Sequence, residues 1–218
     1  MPETLFSSTE GRLLGVGLAL TALMFLAFGI GWYLFPDGVL TYAAMTGLNL
    51  IIGRAAGMTF GYASGLGHVQ VVPLNMLVET IQVLVVYPLF ALSVRQLITL
   101  RRLQPFLARM HRAAEYHGGA VRKFGIVGLF VFVFVPFWMT GPVVGAIIGF
   151  LIGLQAWVNL VVVLGSTYVA IVAWGLLLNE FNAWASTVNQ FAPFALVIAI
   201  VLIAVAIHLL VRRRERSA

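Results

Sequence analysis

Six long apolar stretches follow one another along the chain, separated by short polar segments. They cover residues 13–35, 39–66, 69–94, 124–154, 155–178 and 191–211. A helix needs roughly 20 apolar residues to span a bilayer, so each stretch is long enough to cross or to enter a membrane. The pattern predicts an all-α polytopic membrane protein in which residues 1–218 form a single membrane domain.

The positions of the basic residues favour four membrane spans over six. Seven Lys and Arg residues lie in segment 95–123, and four more lie in the tail 212–218. Loops rich in Lys and Arg stay on the cytoplasmic side, whereas six crossings with the tail inside would put segment 95–123 outside. Both basic segments become cytoplasmic if two stretches enter and leave at the same face. We therefore predict two re-entrant hairpins, 39–66 and 124–154, and four spans, 13–35, 69–94, 155–178 and 191–211.

Residues that resist helix formation interrupt both predicted hairpins. The first break is predicted at residues 53–57, and the second runs from Pro136 to Pro142. Proline removes a backbone donor and clashes with the preceding turn. Non-helical backbone at membrane depth persists only where protein or water satisfies its polar groups. The two breaks are therefore predicted to be buried and to face each other.

A glycine pattern that ends in asparagine occurs twice. Its members, at an offset of 84, are Gly57, Gly61, Gly65 and Asn75 in the first copy and Gly141, Gly145, Gly149 and Asn159 in the second. One predicted span separates the hairpins, so the second copy would be inverted relative to the first. Inverted repeats with broken helices are an architecture of secondary transporters, whose site lies near the midplane. Coincidence in a glycine-rich chain is the alternative.

Composition supports a membrane location and excludes several kinds of chemistry. The chain is 61% hydrophobic and 9% charged, with a mean hydropathy of +1.03, and a soluble domain needs more polar surface. It contains no cysteine, so disulfides and thiolate metal sites are excluded. No cofactor is expected. Next to apolar spans, the net charge of +6 indicates contact with anionic lipid rather than nucleic acid.

The segment 95–123 alternates basic and apolar residues, which predicts an amphipathic helix on the cytoplasmic surface. The topology places both termini in the cytoplasm of a bacterial cell, with the chain in the inner membrane. Glycine-lined helix faces also permit a homodimer.

Two ionisable residues lie at predicted membrane depth. Arg54 is at the tip of the first hairpin, and Glu79 lies about ten residues, or roughly 15 Å, into its span. Charged groups at this depth are costly and usually functional. In the functional interpretation, Arg54 binds an anionic headgroup or substrate and Glu79 carries a proton. The alternative is a buried Arg54–Glu79 ion pair that only fixes the fold.

Further polar residues complete the candidate site. Thr140, Gly141, Asn75 and Asn159 are candidate substrate-binding residues, and His68 is a second candidate proton group near the outer face. The alternative for the asparagines is ordinary hydrogen bonding between helices, and for His68 simple solvation. Ser64 is reminiscent of intramembrane proteases, but no histidine lies at a suitable depth, so no enzyme activity is expected.

Three short motifs resemble those of the small multidrug export family. Residues 134–141 (FVPFWMTG) resemble its proline-x-proline-x-threonine-glycine signature, and residues 67–73 (GHVQVVP) resemble its glycine-asparagine…proline-valine-proline element. Residues 54–56 (RAA) lie where that family has an arginine after an acidic residue. The resemblance covers roughly residues 45–175. Trp138 departs from the signature, as it replaces the second proline.

A further departure is that residues 52–53 replace the expected acidic partner of the arginine. The family is similar in turn to the DedA-like (VTT) membrane proteins, a group that is implicated in moving lipid across bilayers. The resemblance implies a secondary transporter or lipid flippase or scramblase for a small amphipathic or anionic-lipid substrate, with proton coupling. The alternative function is a membrane scaffold that recruits partners or anionic lipid through its basic surface helix.

Overall fold

The computed structural model describes residues 8–97, 120–134 and 141–188. Within these ranges the chain is helical and contains no strand, which confirms the all-helical prediction for this part of the protein. The helices are α1 (Thr9–Leu34), α2 (Pro36–Ile51), α3 (Arg54–Ala63), α4 (His68–Leu97), α5 (Ala120–Phe134), α6 (Gly141–Leu151) and α7 (Ala156–Val188).

Three of the helices that the structure describes are long and apolar enough to cross a membrane. The apolar parts that qualify are Thr9–Leu34, His68–Val94 and Ala156–Phe181, which correspond to three of the four predicted spans. The predicted span 191–211, the tail 212–218 and most of the basic segment 95–123 lie outside the described residues. The four-span topology therefore stays a prediction.

The two predicted hairpins each contain a pair of short helices that pack against each other. These pairs are α2 with α3 and α5 with α6. The first break is shorter than predicted. Gly53, with a φ of 122°, reverses the chain next to Ile52, and residues 54–57 already belong to α3. Most of the predicted second break lies outside the described residues, and its last two residues, Gly141 and Pro142, already belong to α6.

α3 and α6 end in the same way. Gly65 and Gly153 follow the two helices with left-handed φ angles of 82° and 79°. The next residue, Leu66 or Leu154, donates its N–H to the carbonyl of Gly61 or Gly149, at 3.0 Å in both cases. This is the Schellman arrangement, which favours glycine at the left-handed position. Gly65 was predicted to lie on a helix face, but the structure places it beyond the helix end.

The internal repeat is present, but its offset is 88 residues rather than the predicted 84. The last residues of α3 and α6, Ala63 and Leu151, differ by 88, and so do the first residues of α4 and α7, His68 and Ala156. Four glycine pairs then correspond, at Gly53, Gly57, Gly61 and Gly65 in the first copy (α2–α4) and at Gly141, Gly145, Gly149 and Gly153 in the second (α5–α7).

Packing contacts support this offset. A methyl group added to Gly57 would lie 2.9 Å from the carbonyl oxygen of Met45, and one added to Gly145 would overlap Val133, the counterpart of Met45. Added methyl groups at Gly61 and Gly149 would likewise overlap Val71 and its counterpart Asn159. Asn159 therefore corresponds to Val71, and the predicted pairing of Asn159 with Asn75 was wrong by one helical turn.

The chain divides into two compact units. The α3 unit comprises Phe28–Val78 and Ile171–Ala218, and the α6 unit comprises Met1–Ala27 and Glu79–Ala170. The α3 unit contains α2, α3, the beginning of α4 and the end of α7. The α6 unit contains α5, α6, the beginning of α7 and the end of α4. The prediction of a single membrane domain with a first half at 13–94 and a second half at 124–178 stays a prediction.

Each unit has its own apolar core, and three buried residues of one core correspond to buried residues of the other. Met45 and Met58 of the α3 unit match Val133 and Ala146 of the α6 unit at the 88-residue offset. Ile171 of α7, buried in the α3 unit, matches Val83 of α4, buried in the α6 unit. The α3-unit core therefore includes a residue from the second half of α7, and the α6-unit core includes a residue from the second half of α4.

Candidate functional site

Arg54 is the first residue of α3 and is buried, with 4% of its surface exposed. The helix has no side-chain cap, and its third and fourth N–H groups, from Ala56 and Gly57, donate to the Gly53 carbonyl at 3.1 and 3.2 Å. The start of a helix carries partial positive charge, and a guanidinium there adds a full one. This end of α3 is therefore suited to an anion. Arg54 also makes at least one further interaction within the chain.

A buried amide pair joins α2 to α4 in the same unit. The Asn49 Nδ2 atom donates to Asn75 Oδ1 at 2.5 Å, and Asn75 Nδ2 donates to the Val71 carbonyl at 2.7 Å. Both asparagines are fully buried. Asn75 was predicted as a site residue and lies in the α3 unit together with Arg54. Asn49 was missed, although it is a polar residue within an apolar run, one turn before the helix break.

Thr46 is a second missed residue of α2. Its side chain is buried, and its Oγ1 atom has no hydrogen-bond partner among the described residues. Thr46 and Asn49 are three residues apart, and therefore share one side of α2. A buried hydroxyl without a partner is costly, and a bound polar ligand is one way to satisfy it.

Asn159 is fully buried in the α6 unit. Its Nδ2 atom donates to the Ala146 carbonyl at 2.7 Å, and its Oδ1 atom has no partner among the described residues. The side chain occupies the space that a methyl group at Gly149 would need. Because Asn75 and Asn159 lie in different units, their predicted participation in one site remains a prediction.

Glu79 lies on α4, in the α6 unit, with 4% of its surface exposed, and makes at least one interaction within the chain. The neighbouring Thr80 Oγ1 atom lies 2.6 Å from the Tyr168 hydroxyl of α7. The predicted burial of Arg54 and Glu79 is confirmed, whereas their ion pair stays a prediction. Gly141 is the buried first residue of α6, and Thr140 lies outside the described residues.

The family comparison decides the classification. Residues 54–173, more than half of the chain, match the family described as "Putative small multi-drug export protein". The chain belongs to this family. No curated protein and no solved structure matches the chain. The further relation to DedA-like proteins stays a prediction.

The segment that matches the small multi-drug export family begins at Arg54 and ends within α7. It therefore contains Arg54, Glu79 and the second copy of the repeat as far as residue 173. The described residues contain no group of three or more side chains that could hold a metal ion. Within this segment, the charged and polar side chains that the structure shows as buried are one arginine, one glutamate, amides and hydroxyls.

His68, the first residue of α4, is partly buried rather than simply solvated. Its Nδ1 atom lies 2.8 Å from the Tyr62 hydroxyl, and the two rings meet edge to face with centroids 5.3 Å apart. A methyl group added to Gly175 of α7 would lie 3.0 Å from the same hydroxyl. His68 thus lies where three helices of the α3 unit meet. Its predicted role as a proton group stays a prediction.

Proposed function

We propose that this chain is a secondary transporter that exports a small amphipathic molecule or lipid with an anionic group, which it binds at the start of α3. The observation that carries the proposal is the burial of Arg54 at that helix end, in a chain of the small multi-drug export family. The four-span topology with two re-entrant hairpins forms part of the proposal.

Electrostatics favour an anion at this position. A buried guanidinium is costly unless a negative group or several acceptors compensate it. The partial positive charge of the helix start adds to the cost of burying the guanidinium. It also increases the affinity of this helix end for an anion. The Thr46 hydroxyl, buried in the same unit, is a further donor for such a ligand.

Export against a gradient needs an energy source, and we propose that a transmembrane proton gradient supplies it, with Glu79 carrying the protons. A carboxyl group that is buried in an apolar span lacks the water that would stabilise its charged form. It can therefore pick up a proton on one side of the membrane and release it on the other as its surroundings change. Glu79 is the one carboxylate among the buried residues of α4.

Inverted membrane vesicles with a preformed pH gradient test this function. We expect a short-chain polyprenyl phosphate to dissipate the gradient in wild-type vesicles and a lipophilic cation to have no effect. With Glu79→Gln, uptake should no longer depend on the gradient, whereas Glu180→Gln, at an exposed position on α7, should behave as wild type. A wild-type protein that moves neither probe would contradict the transporter and favour the scaffold.

A further inference from the structure

Three buried residues follow one another along one side of α3, starting at the proposed anion site. Arg54, Met58 and Tyr62 are four residues apart and have 4%, 0% and 7% of their surfaces exposed. Tyr62 lies eight residues after Arg54, about 12 Å along the helix. A ligand that reaches Arg54 from the side of the membrane on which α3 ends must therefore travel past the level of Tyr62.

α7 covers this side of α3 at Gly175. A methyl group added to Gly175 would lie 3.0 Å from the Tyr62 hydroxyl, 3.4 Å from Val72 Cγ2 and 3.9 Å from Met58 Sδ. The Tyr62 hydroxyl therefore lies against the backbone of α7, at a position where glycine permits a close approach. Because Val72 belongs to α4, the Tyr62 side chain is packed between α3, α4 and α7, all within the α3 unit.

A contact at the tip of the side chain holds the Tyr62 ring in this position. Its hydroxyl is hydrogen-bonded to His68 Nδ1 at 2.8 Å, and the two rings meet edge to face with centroids 5.3 Å apart. His68, the first residue of α4, is only partly buried. A tyrosine can leave such a position by changing its side-chain rotamer, without any change in the helix backbone.

We propose that Tyr62 is a gate of the anion site. In the position that the structure shows, Tyr62 closes the path along α3 to Arg54, and rotation of its side chain away from Gly175 and His68 opens this path. The proposal rests on the proposed function, since the ligand that passes the gate is the anion bound at the start of α3. Alternating access requires such a closure, because a site open to both sides at once would let the gradient dissipate.

The reactivity of a cysteine at Met58 tests the gate, because the chain has no native cysteine and Met58 is fully buried, one turn from Tyr62. A buried thiol reacts only when the structure around it opens, so its rate of modification follows the open fraction. The Met58→Cys protein in lipid nanodiscs is treated with a water-soluble thiol reagent. Adding Tyr62→Phe keeps the ring but removes the hydrogen bond to His68. The rate should then rise about 2- to 10-fold, the factor expected for one neutral hydrogen bond.

Tyr168→Phe is the matched control, because it removes a tyrosine hydroxyl that lies 2.6 Å from Thr80 Oγ1 in the α6 unit. In the Met58→Cys protein it should leave the rate of modification unchanged. If Met58→Cys lowers the melting temperature strongly, Val72→Cys, which also lies beside Gly175, reports the same opening. The gate is wrong if Tyr62→Phe does not raise the rate, or if Tyr168→Phe raises it as much.

A protection experiment separates the gate from the proposed function. In the protein with Met58→Cys and Tyr62→Phe, a short-chain polyprenyl phosphate should slow the modification, and Arg54→Ala should abolish this protection. Faster modification on Tyr62→Phe without protection would support the gate and contradict the proposed anion site. Protection in a protein whose rate is unaffected by Tyr62→Phe would overturn the gate and leave the proposed function intact.

Discussion

Replacing Arg54 with alanine should lower the rate of transport by about 10- to 100-fold, because hydrogen bonds to a charged group are worth roughly 1.5–3 kcal/mol. Arg54 is buried at the start of α3, where no other side chain caps the helix. Alanine removes the full positive charge and leaves only the partial charge of the helix end. The initial rate of polyprenyl phosphate uptake into vesicles measures the effect at equal protein levels.

Two further variants separate loss of binding from loss of folding. Arg54→Lys keeps the charge but not the planar fork that contacts two oxygens of an anion, so it should retain intermediate activity. Arg12→Ala removes an arginine at an exposed position of α1 and should transport at the wild-type rate. The proposed site is wrong if folded Arg54→Ala protein transports as fast as Arg12→Ala.

Gly57→Ala should destabilise the protein by about 1–3 kcal/mol, the usual cost of an extra methyl group in a packed interior. The added methyl would lie 2.9 Å from the Met45 carbonyl oxygen and 3.0 Å from Asn49 Cβ. Both atoms belong to the packed α2 helix, so the two helices must move apart. Because Gly57 is one turn from Arg54, transport should fall together with the melting temperature, which thermal unfolding in detergent measures.

Gly47→Ala is the matched control. Gly47 is on α2, and no atom lies within 4 Å of its added methyl group. Alanine favours a helix by roughly 1 kcal/mol over glycine, so this variant should be as stable as wild type or more stable. If the two variants unfold at the same temperature, close packing at Gly57 does not hold α2 against α3.

Hydropathy and glycine spacing predicted much of the fold, but not the offset of the repeat. Glycines recur every four residues from Gly53 to Gly65 and from Gly141 to Gly153. Such a series matches itself again when it is moved by one helical turn, so three pairs agree at an offset of 84 and four at 88. The chance agreement of Asn75 with Asn159 favoured the wrong offset. Helix ends and side-chain contacts distinguish the two, and neither can be read from composition or spacing.

Candidate-site residues could be predicted where the residue type and its neighbours in the sequence are enough to mark them. Arg54 and Glu79 are charges in apolar surroundings, and their burial follows from that alone. Asn49, Tyr62 and Tyr168 were missed because each is distinguished only by a hydrogen bond to a residue of another helix, which the sequence does not show. For example, Tyr168 is an ordinary aromatic residue in the sequence until Thr80, 88 positions earlier, is found to contact it.

The most direct test of the inverted repeat is the side of the membrane on which the ends of each hairpin lie. Single cysteines at Gly38, in the first turn of α2, and at Gly67, after α3, mark the two ends of the first hairpin, and cysteines at Gly118 and Gln155 bracket α5–α6. With a membrane-impermeant thiol reagent, we expect Gly38→Cys and Gly67→Cys to be labelled in intact cells, and Gly118→Cys and Gln155→Cys only in inverted vesicles. Labelling of Gly38→Cys and Gly67→Cys from opposite sides would show that α2–α3 crosses the membrane and would contradict the inverted re-entrant repeat.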